Sequence, residues 1–275
     1  MTRRQAQVAT MTFVYIFLFF MLAVWSLPPL WMVLTSIKDP GITFSIPPVW
    51  FFTPTLENFQ AIINRPFFFQ YLINTIVIST VTSVIELLLG ATAAYSLSRY
   101  RTGGNKMMFL LLGFRTFPYV LLGVPFYIIF TRLGLIDNIW SQIAANTIVG
   151  LPFTIWLLVP FFDDIPYELE EAAILDGCSR YGAMWRIAFP LAQAGLVVMF
   201  ILNFMGTWNN FFFPLILSTQ QAKTMTIVAS EFITDDQALW GNLAAMGTLL
   251  LIPPIFVVFA FQRRLVQGLT LGGVK

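Results

Sequence analysis

The chain has 275 residues, of which 58% are hydrophobic and only 10% charged, with a mean hydropathy of +0.79. That balance excludes a water-soluble globule and, lacking an alternating apolar pattern, an outer-membrane barrel; it fits a helical integral membrane protein. A net charge of +2 spread beside apolar segments gives no nucleic-acid patch, the single cysteine, Cys178, allows no internal disulfide, and the absence of histidine argues against a metal site.

Six apolar runs come close to or exceed the roughly 20 residues that a helix needs to cross a bilayer: 12–34, 71–97, 107–130, 141–161, 194–217 and 242–261. The first follows Arg3 and Arg4, is longer than a signal-peptide core and precedes no small-residue cleavage site, so it is expected to be a retained span. The longest stretch outside the runs, 35–70, is interrupted by Pro40, Pro47, Pro48, Pro54 and Pro66 and leaves no room for a soluble domain. The expected organisation is therefore an N-terminal span with its loop (1–70), a core (71–262) carrying a loop at 162–190, and a tail (263–275). No internal repeat is visible. Lys and Arg divide ten to four between the two sides, with Arg115 inside a run, which places both termini and the 162–190 loop in the cytoplasm.

Glu86 and Arg115 are the two charges well inside spans. At about 1.5 Å per helical residue they lie roughly 20 Å and 14 Å from the cytoplasmic boundary, near enough in depth for an ion pair, the preferred reading, with direct solute or gate contact as the second. In the fifth span, Asn203, Trp208, Asn209 and Asn210 combine amides with an aromatic face. That chemistry suits a hydroxyl-rich solute lining a translocation path, and equally suits helix–helix hydrogen bonding with an interfacial Trp. Prolines 118, 125, 152, 190, 214, 253 and 254 are expected to kink or end helices.

The loop concentrates six carboxylates, Asp163, Asp164, Glu168, Glu170, Glu171 and Asp176, in a chain nearly free of charge. It reads as two short helices. Pro166 suits the first turn of one, Gly177 its left-handed end, and Ser179 the cap of the next. Leu169, Ala172, Ala173 and Asp176 share a face by i, i+3, i+4, i+7 spacing. A solvated acidic loop explains the carboxylates but not Ala-Ala-Ile-Leu or the placed glycine; an exposed helix with apolar groups and small alanines suits insertion into a partner's groove.

Glu171-Ala172-Ala173, then Asp176-Gly177, then Ile187 and Phe189-Pro190 resemble the "EAA…DG…I-LP" coupling motif of permease subunits in binding-protein-dependent ABC importers. The usual second proline is replaced by Gln193-Ala194-Gly195, which bears on where the fifth span starts. Further stretches in family order, "LPPLWMVLTSIK" (27–38), "PTLENF" (54–59), "AAYSLSRYR" (93–101), "RTFPYVLLGVPFYIIFTRLGLID" (115–137), "TWNNFFFPLIL" (207–217) and "FQRRLVQGLTLGGVK" (261–275), are similar to the shorter permease of the maltose-type, carbohydrate-uptake group. The resemblance implies an all-α type I importer fold of six transmembrane helices with a cytoplasmic two-helix coupling loop. It implies that Glu170, Glu171, Ala172, Ala173, Asp176 and Gly177 couple to an ATPase, and that the tail, Gln267, Gly268, Gly272, Gly273 and Lys275, reaches the same partner, although a frayed terminus fits the tail equally well. The implied partners are a second, different permease, two ATPase subunits and an extracytoplasmic solute-binding protein, in a prokaryotic cytoplasmic membrane. No cofactor and no metal belong to this chain; ATP and Mg sit on the ATPases, in keeping with the lack of any GxxxxGK[ST] loop here.

Other classes fit less well. An intramembrane enzyme using Glu86, Asp163 or Asp164 would lack histidine, a nucleophile constellation and paired carboxylates within the spans. An ion-coupled transporter working alone would carry more intramembrane carboxylates and repeat symmetry, and would need no docking loop. Within the importer reading, a glycerol phosphate ester or a polyol is the alternative to a sugar or oligosaccharide.

Overall fold

The computed structural model describes residues 3–43, 45–233 and 239–271, and among them helices form every regular element, with no strand. The chain divides into two compact units, Met1–Phe68 with Ala229–Ile252, and Phe69–Val228 with Pro253–Lys275.

The first unit holds α1 (Arg3–Ser36), α2 (Glu57–Ile63) and the start of α13 (Trp240–Leu271). The buried Asn58 of α2 donates to the carbonyls of Ser36 (3.1 Å) and Lys38 (2.7 Å), satisfying backbone groups that the end of α1 leaves unpaired. Lys38 tucks its ammonium over the rings of Trp31 and Phe52, at 4.9 and 5.3 Å. Arg65 bonds Glu231 at 3.4 Å.

The second unit is built on α3 (Phe68–Tyr100) and α6 (Ile139–Asp163). They cross closely because each offers a glycine to the other. A Cβ on Gly90 of α3 would come within 2.5 Å of Thr154, and one on Gly150 of α6 within 2.0 Å of the Glu86 carboxyl. The two contacts are one helical turn apart on both helices, the small-residue packing that close approach in a membrane requires. Around them lie α4 (Gly104–Thr116), α5 (Gly123–Arg132), α7 (Glu168–Leu175), α8 (Arg180–Ala183), α9 (Phe189–Leu191), α10 (Gln193–Trp208), α11 (Phe212–Leu217) and α12 (Met225–Ser230). One apolar core joins Tyr95, Leu158, Phe162, Met184, Phe189 and Met199; another joins Phe126, Phe130, Ala145, Phe213 and Leu217.

Four helices are long and apolar enough to cross a membrane unbroken: Thr10–Ser36, Phe68–Tyr100, Ile139–Asp163 and Trp240–Gln262. Two bent pairs bring the number of spans to six when each is counted as one. The run 107–130, expected as one helix, is instead broken with a bend of 83°. Pro118 supplies no N–H and forces Phe117 into extended backbone (φ −71°, ψ 128°), so α4 stops at Thr116 and a 3₁₀ turn at Tyr119–Leu122 leads into α5. The run 194–217 is likewise not one helix. α10 ends at Trp208, and the Asn210 side chain accepts from the Phe213 N–H (3.0 Å) to start α11. Before α10, a π-helical turn at Met184–Ala188 joins α8 to α9, and the chain bends by 75° at Ala192.

Candidate functional site

The acidic loop is shaped by two local motifs. The N–H of Gly177 bonds the Ile174 carbonyl (3.0 Å) and that of Cys178 the Ala173 carbonyl (2.9 Å), the paired bonds of a Schellman end, with Gly177 at φ +90°. Ser179 then accepts from the Gly182 N–H at 3.1 Å and caps α8. Both are as the sequence predicts. Pro166, however, lies ahead of α7 and not in its first turn; its carbonyl receives the Leu169 N–H.

The carboxylates are not equivalent. Glu168, Glu171 and Asp176 are exposed, whereas Glu170 turns inward and is buried. It accepts from Arg99 Nε at 2.6 Å and from the Tyr95 hydroxyl, while the same guanidinium donates to the Ile165 carbonyl at 3.0 Å. Ser98, beside Arg99, bonds Asp163 at 2.5 Å. The end of α3 thus grips both the start of the loop and its first helix. Glu170, expected at a docking surface, is instead an internal anchor, because two donors on α3 compensate its charge out of water. Beside the exposed carboxylates the outward surface carries apolar groups: Leu175 is 88% exposed, and Leu169, Ala172 and Ile174 are exposed on the same helix.

Farther up the same helices is a cavity of about 190 Å³ whose lining mixes polar with apolar groups. Its walls follow helical periodicity: Asn146, Val149, Gly150 and Phe153 of α6, and Asn203, Gly206 and Thr207 of α10 continuing to Asn210, both at i, i+3, i+4, i+7. Glu86, Arg115, Tyr119, Leu202 and Phe213 complete it. Glu86 and Arg115 are brought to one cavity but form no ion pair. Arg115 lays its guanidinium over the Phe153 ring at 4.5 Å, and Glu86 leans into the space left by Gly150. Two amide links fix the wall: Asn203 exchanges hydrogen bonds with Thr154 (3.0–3.2 Å), and Asn210 donates to Asn146 (3.0 Å).

Of the four residues expected on a translocation path, Asn203 and Asn210 line this cavity and two do not. Trp208 is fully buried, stacked on Phe204 at 5.6 Å, because five residues from Asn203 on a helix is a different face. Asn209 is exposed and donates to the Met205 carbonyl. Sequence reasoning missed Asn146, Gly150 and Thr207; the matching stripes of small and polar residues on α6 and α10 are the signal that marks them. In the tail, Gln267 and Gly268 fall in the last turns of α13, and Gly272, Gly273 and Lys275 lie outside the described residues.

At the other end of α6, Asp137 holds the turn before α12. Its backbone is left-handed (φ +59°), and its carboxylate accepts from the N–H groups of Thr219, Gln220, Gln221 and Ala222 at 2.9–3.1 Å. Partial burial pulls this carboxyl up, but the N–H groups of Ala222, Gln221 and Thr219 outweigh it and hold it well below the usual carboxylate range. Asn74 bonds the carbonyls of Gln221 and Lys223, and Gln142 that of Ala222.

Residues 86–271 match the family described as binding-protein-dependent transport system inner membrane component. A probable ABC transporter permease of Sinorhizobium fredii is 36% identical over 96% of this chain and 92% of its own length. A trehalose transport system permease of Mycobacterium tuberculosis is 36% identical over 90% of this chain and 92% of its own. Among solved structures, a chain of a bacterial ABC transporter involved in the import of the acidic polysaccharide alginate superposes with a TM-score of 0.70 at 20% identity, covering 96% of this chain and 98% of that one, a likeness of fold. The chain is a non-enzymatic, multi-pass membrane permease and belongs to the family of binding-protein-dependent transport system inner membrane components.

Proposed function

We propose that the chain forms one membrane-spanning half of an ABC importer for a sugar or oligosaccharide, driven by ATPase subunits that dock on the 162–190 loop. The observation that carries this reading is the outward display of Leu175, Leu169 and Ala172 on a short helix whose Glu170 is locked to Arg99. An exposed apolar surface on a rigidly anchored helix is suited to seating in a partner's cleft. Closure of the ATPase pair then moves α7, and the motion passes to α6 and α10 through the chain and to α3 through Arg99. The helices rock about the midplane cavity and alternate its access between the two sides.

Glu171, Ala172, Ala173, Asp176 and Gly177 are assigned to this docking helix. The tail from Gln267 to Lys275 is assigned as a second contact with the ATPases. ATP and Mg belong to those subunits. The assembly comprises a second, different permease, two ATPases and an extracytoplasmic binding protein, with both termini of this chain in the cytoplasm. The carbohydrate assignment is supported by the trehalose system of the similar Mycobacterium protein and by the hydrogen-bonding character of the cavity.

Co-expression with the neighbouring-gene subunits tests the docking. Leu175→Asp and Ala172→Arg should insert normally, yet lose the ATPases on affinity purification and lose uptake. Full retention of both would overturn the reading.

A further inference from the structure

The cavity between α3, α6 and α10 contains a carboxyl group that no protein group satisfies. Glu86 is 2% exposed. It lies about 14 residues from the end of α3, roughly 20 Å along the helix axis. Among the described residues its side chain takes part in no hydrogen bond or ion pair. An acidic side chain at this depth is expensive and marks a functional position unless it is paired. Gly150 makes the arrangement deliberate: any larger residue there would occupy the place of the Glu86 oxygen.

Arg115, the one cation lining the cavity among the described residues, is turned to another purpose. Arg115 presents the flat of its guanidinium to Phe153, which leaves its N–H edge as a set of donors at the cavity. Tyr119 and Thr207 add hydroxyls. Asn203 and Asn210 are held by Thr154 and Asn146, so their positions are fixed while each amide keeps an N–H to spare. The lining therefore offers a carboxyl group on one side, guanidinium and amide donors on another, and hydroxyls that both donate and accept. A polyhydroxylated ring has the matching property, since each hydroxyl donates and accepts. A volume of about 190 Å³ equals about six waters at roughly 30 Å³ each, which is room for one six-membered sugar ring.

We propose that this cavity is a transport subsite for a single neutral pyranose ring, with the Glu86 carboxyl hydrogen-bonding a vicinal pair of ring hydroxyls and Arg115 donating to the opposite edge. This chain then takes part in choosing the solute and does not merely wall the path. The inference rests on the carbohydrate reading given above.

The test uses the assembled transporter in proteoliposomes with ATP available to the ATPases and with the binding protein presented fully loaded, so that capture by that protein does not set the rate. The probes are radiolabelled glucose, maltose, trehalose and diacetylchitobiose, then the single-deoxy analogues of whichever is moved fastest. Wild type should move at least one deoxy analogue about tenfold or more slowly than the parent sugar, the scale of a lost buried hydrogen bond. Glu86→Gln should slow the parent and bring that ratio towards one; Glu86→Asp should restore part of it. A variant that merely weakened the fold would slow parent and analogue alike. An unchanged parent-to-analogue ratio in Glu86→Gln, whatever the absolute rate, overturns the subsite. If the intact assembly hydrolyses ATP but moves none of the sugars, the carbohydrate reading falls and the subsite falls with it.

Discussion

Arg99 and Glu170 meet at 2.6 Å across 71 positions of sequence, with their side chains only 6% and 2% exposed. The pair fastens α7 to α3, a span with which the loop is not continuous. Removing one member leaves a buried charge without compensation, at a cost of roughly 3–5 kcal/mol. Arg99→Met or Glu170→Gln should therefore release α7, and maleimide labelling of the half-buried Cys178 should quicken in the purified chain. The double variant should be less damaged than the sum of the two. Strict additivity in thermal unfolding would show that the contact carries no coupling.

Glu86 and Gly150 invite the opposite experiment. A methyl group at position 150 would collide with the carboxyl, so Gly150→Ala should destabilise the chain by roughly 1–3 kcal/mol, the range for overpacking. Glu86→Ala in the same chain should recover most of that loss. Glu86→Gln alone should cost little stability, whereas an ion pair with Arg115 would make it cost several kcal/mol. Thermal unfolding of the four proteins in detergent decides; no recovery in the double variant would place the strain elsewhere.

Gly177 has open space around its Cα, so a side chain there would strike nothing. Its constraint is the backbone angle, and a residue with a Cβ at φ +90° costs roughly 1–2 kcal/mol. Gly177→Val should insert normally but misdirect α7 relative to α8, with weaker ATPase association and lost uptake. Gly177→Asn, better tolerated in left-handed backbone, should fall between. Equal behaviour of Val, Asn and Gly would remove the loop angle from the mechanism.

Asp137 predicts a pH dependence. Its folded carboxyl is held below its unfolded range, so its contribution is complete above that range and fades as the pH falls through it towards the depressed value. Amide exchange at Thr219–Ala222 should be slow at neutral pH and accelerate under acid. Asp137→Ala should exchange fast throughout, with a local loss of about 1–2 kcal/mol. Acid-insensitive protection in wild type would contradict the assignment.

Much of this was open to sequence reading, for identifiable reasons. The lengths of α3 and α6 follow from uninterrupted apolar runs, and Gly177 and Ser179 act through bonds to their near neighbours. The inward turn of Glu170 was not legible, because it depends on Arg99 and Tyr95 on a distant helix, and adjacent glutamates look alike along a chain. Pro118 announces a break but not an 83° turn, since the runs on either side are equally apolar. Arg115 and Glu86 agree in depth, yet depth says nothing of azimuth, and Phe153 took the guanidinium instead. Trp208 lies off the cavity wall for the same reason, while Asn203 and Asn210 share its periodicity.

The break at Phe117–Pro118 also bears on hydration. Where a helix stops inside a bilayer, its last carbonyls lose their intrahelical partners, and such backbone persists only against protein or water. Arg115 and Tyr119, on either side of the break, both line the cavity. Water that enters the cavity reaches this break, so ion-tightness at rest has to come from packed side chains, such as the Phe126–Phe130–Phe213 group towards α5 and the Phe162–Phe189 group towards the loop. Thinning either plug should appear first as a leak of small ions across the membrane, before any change in the rate of solute uptake.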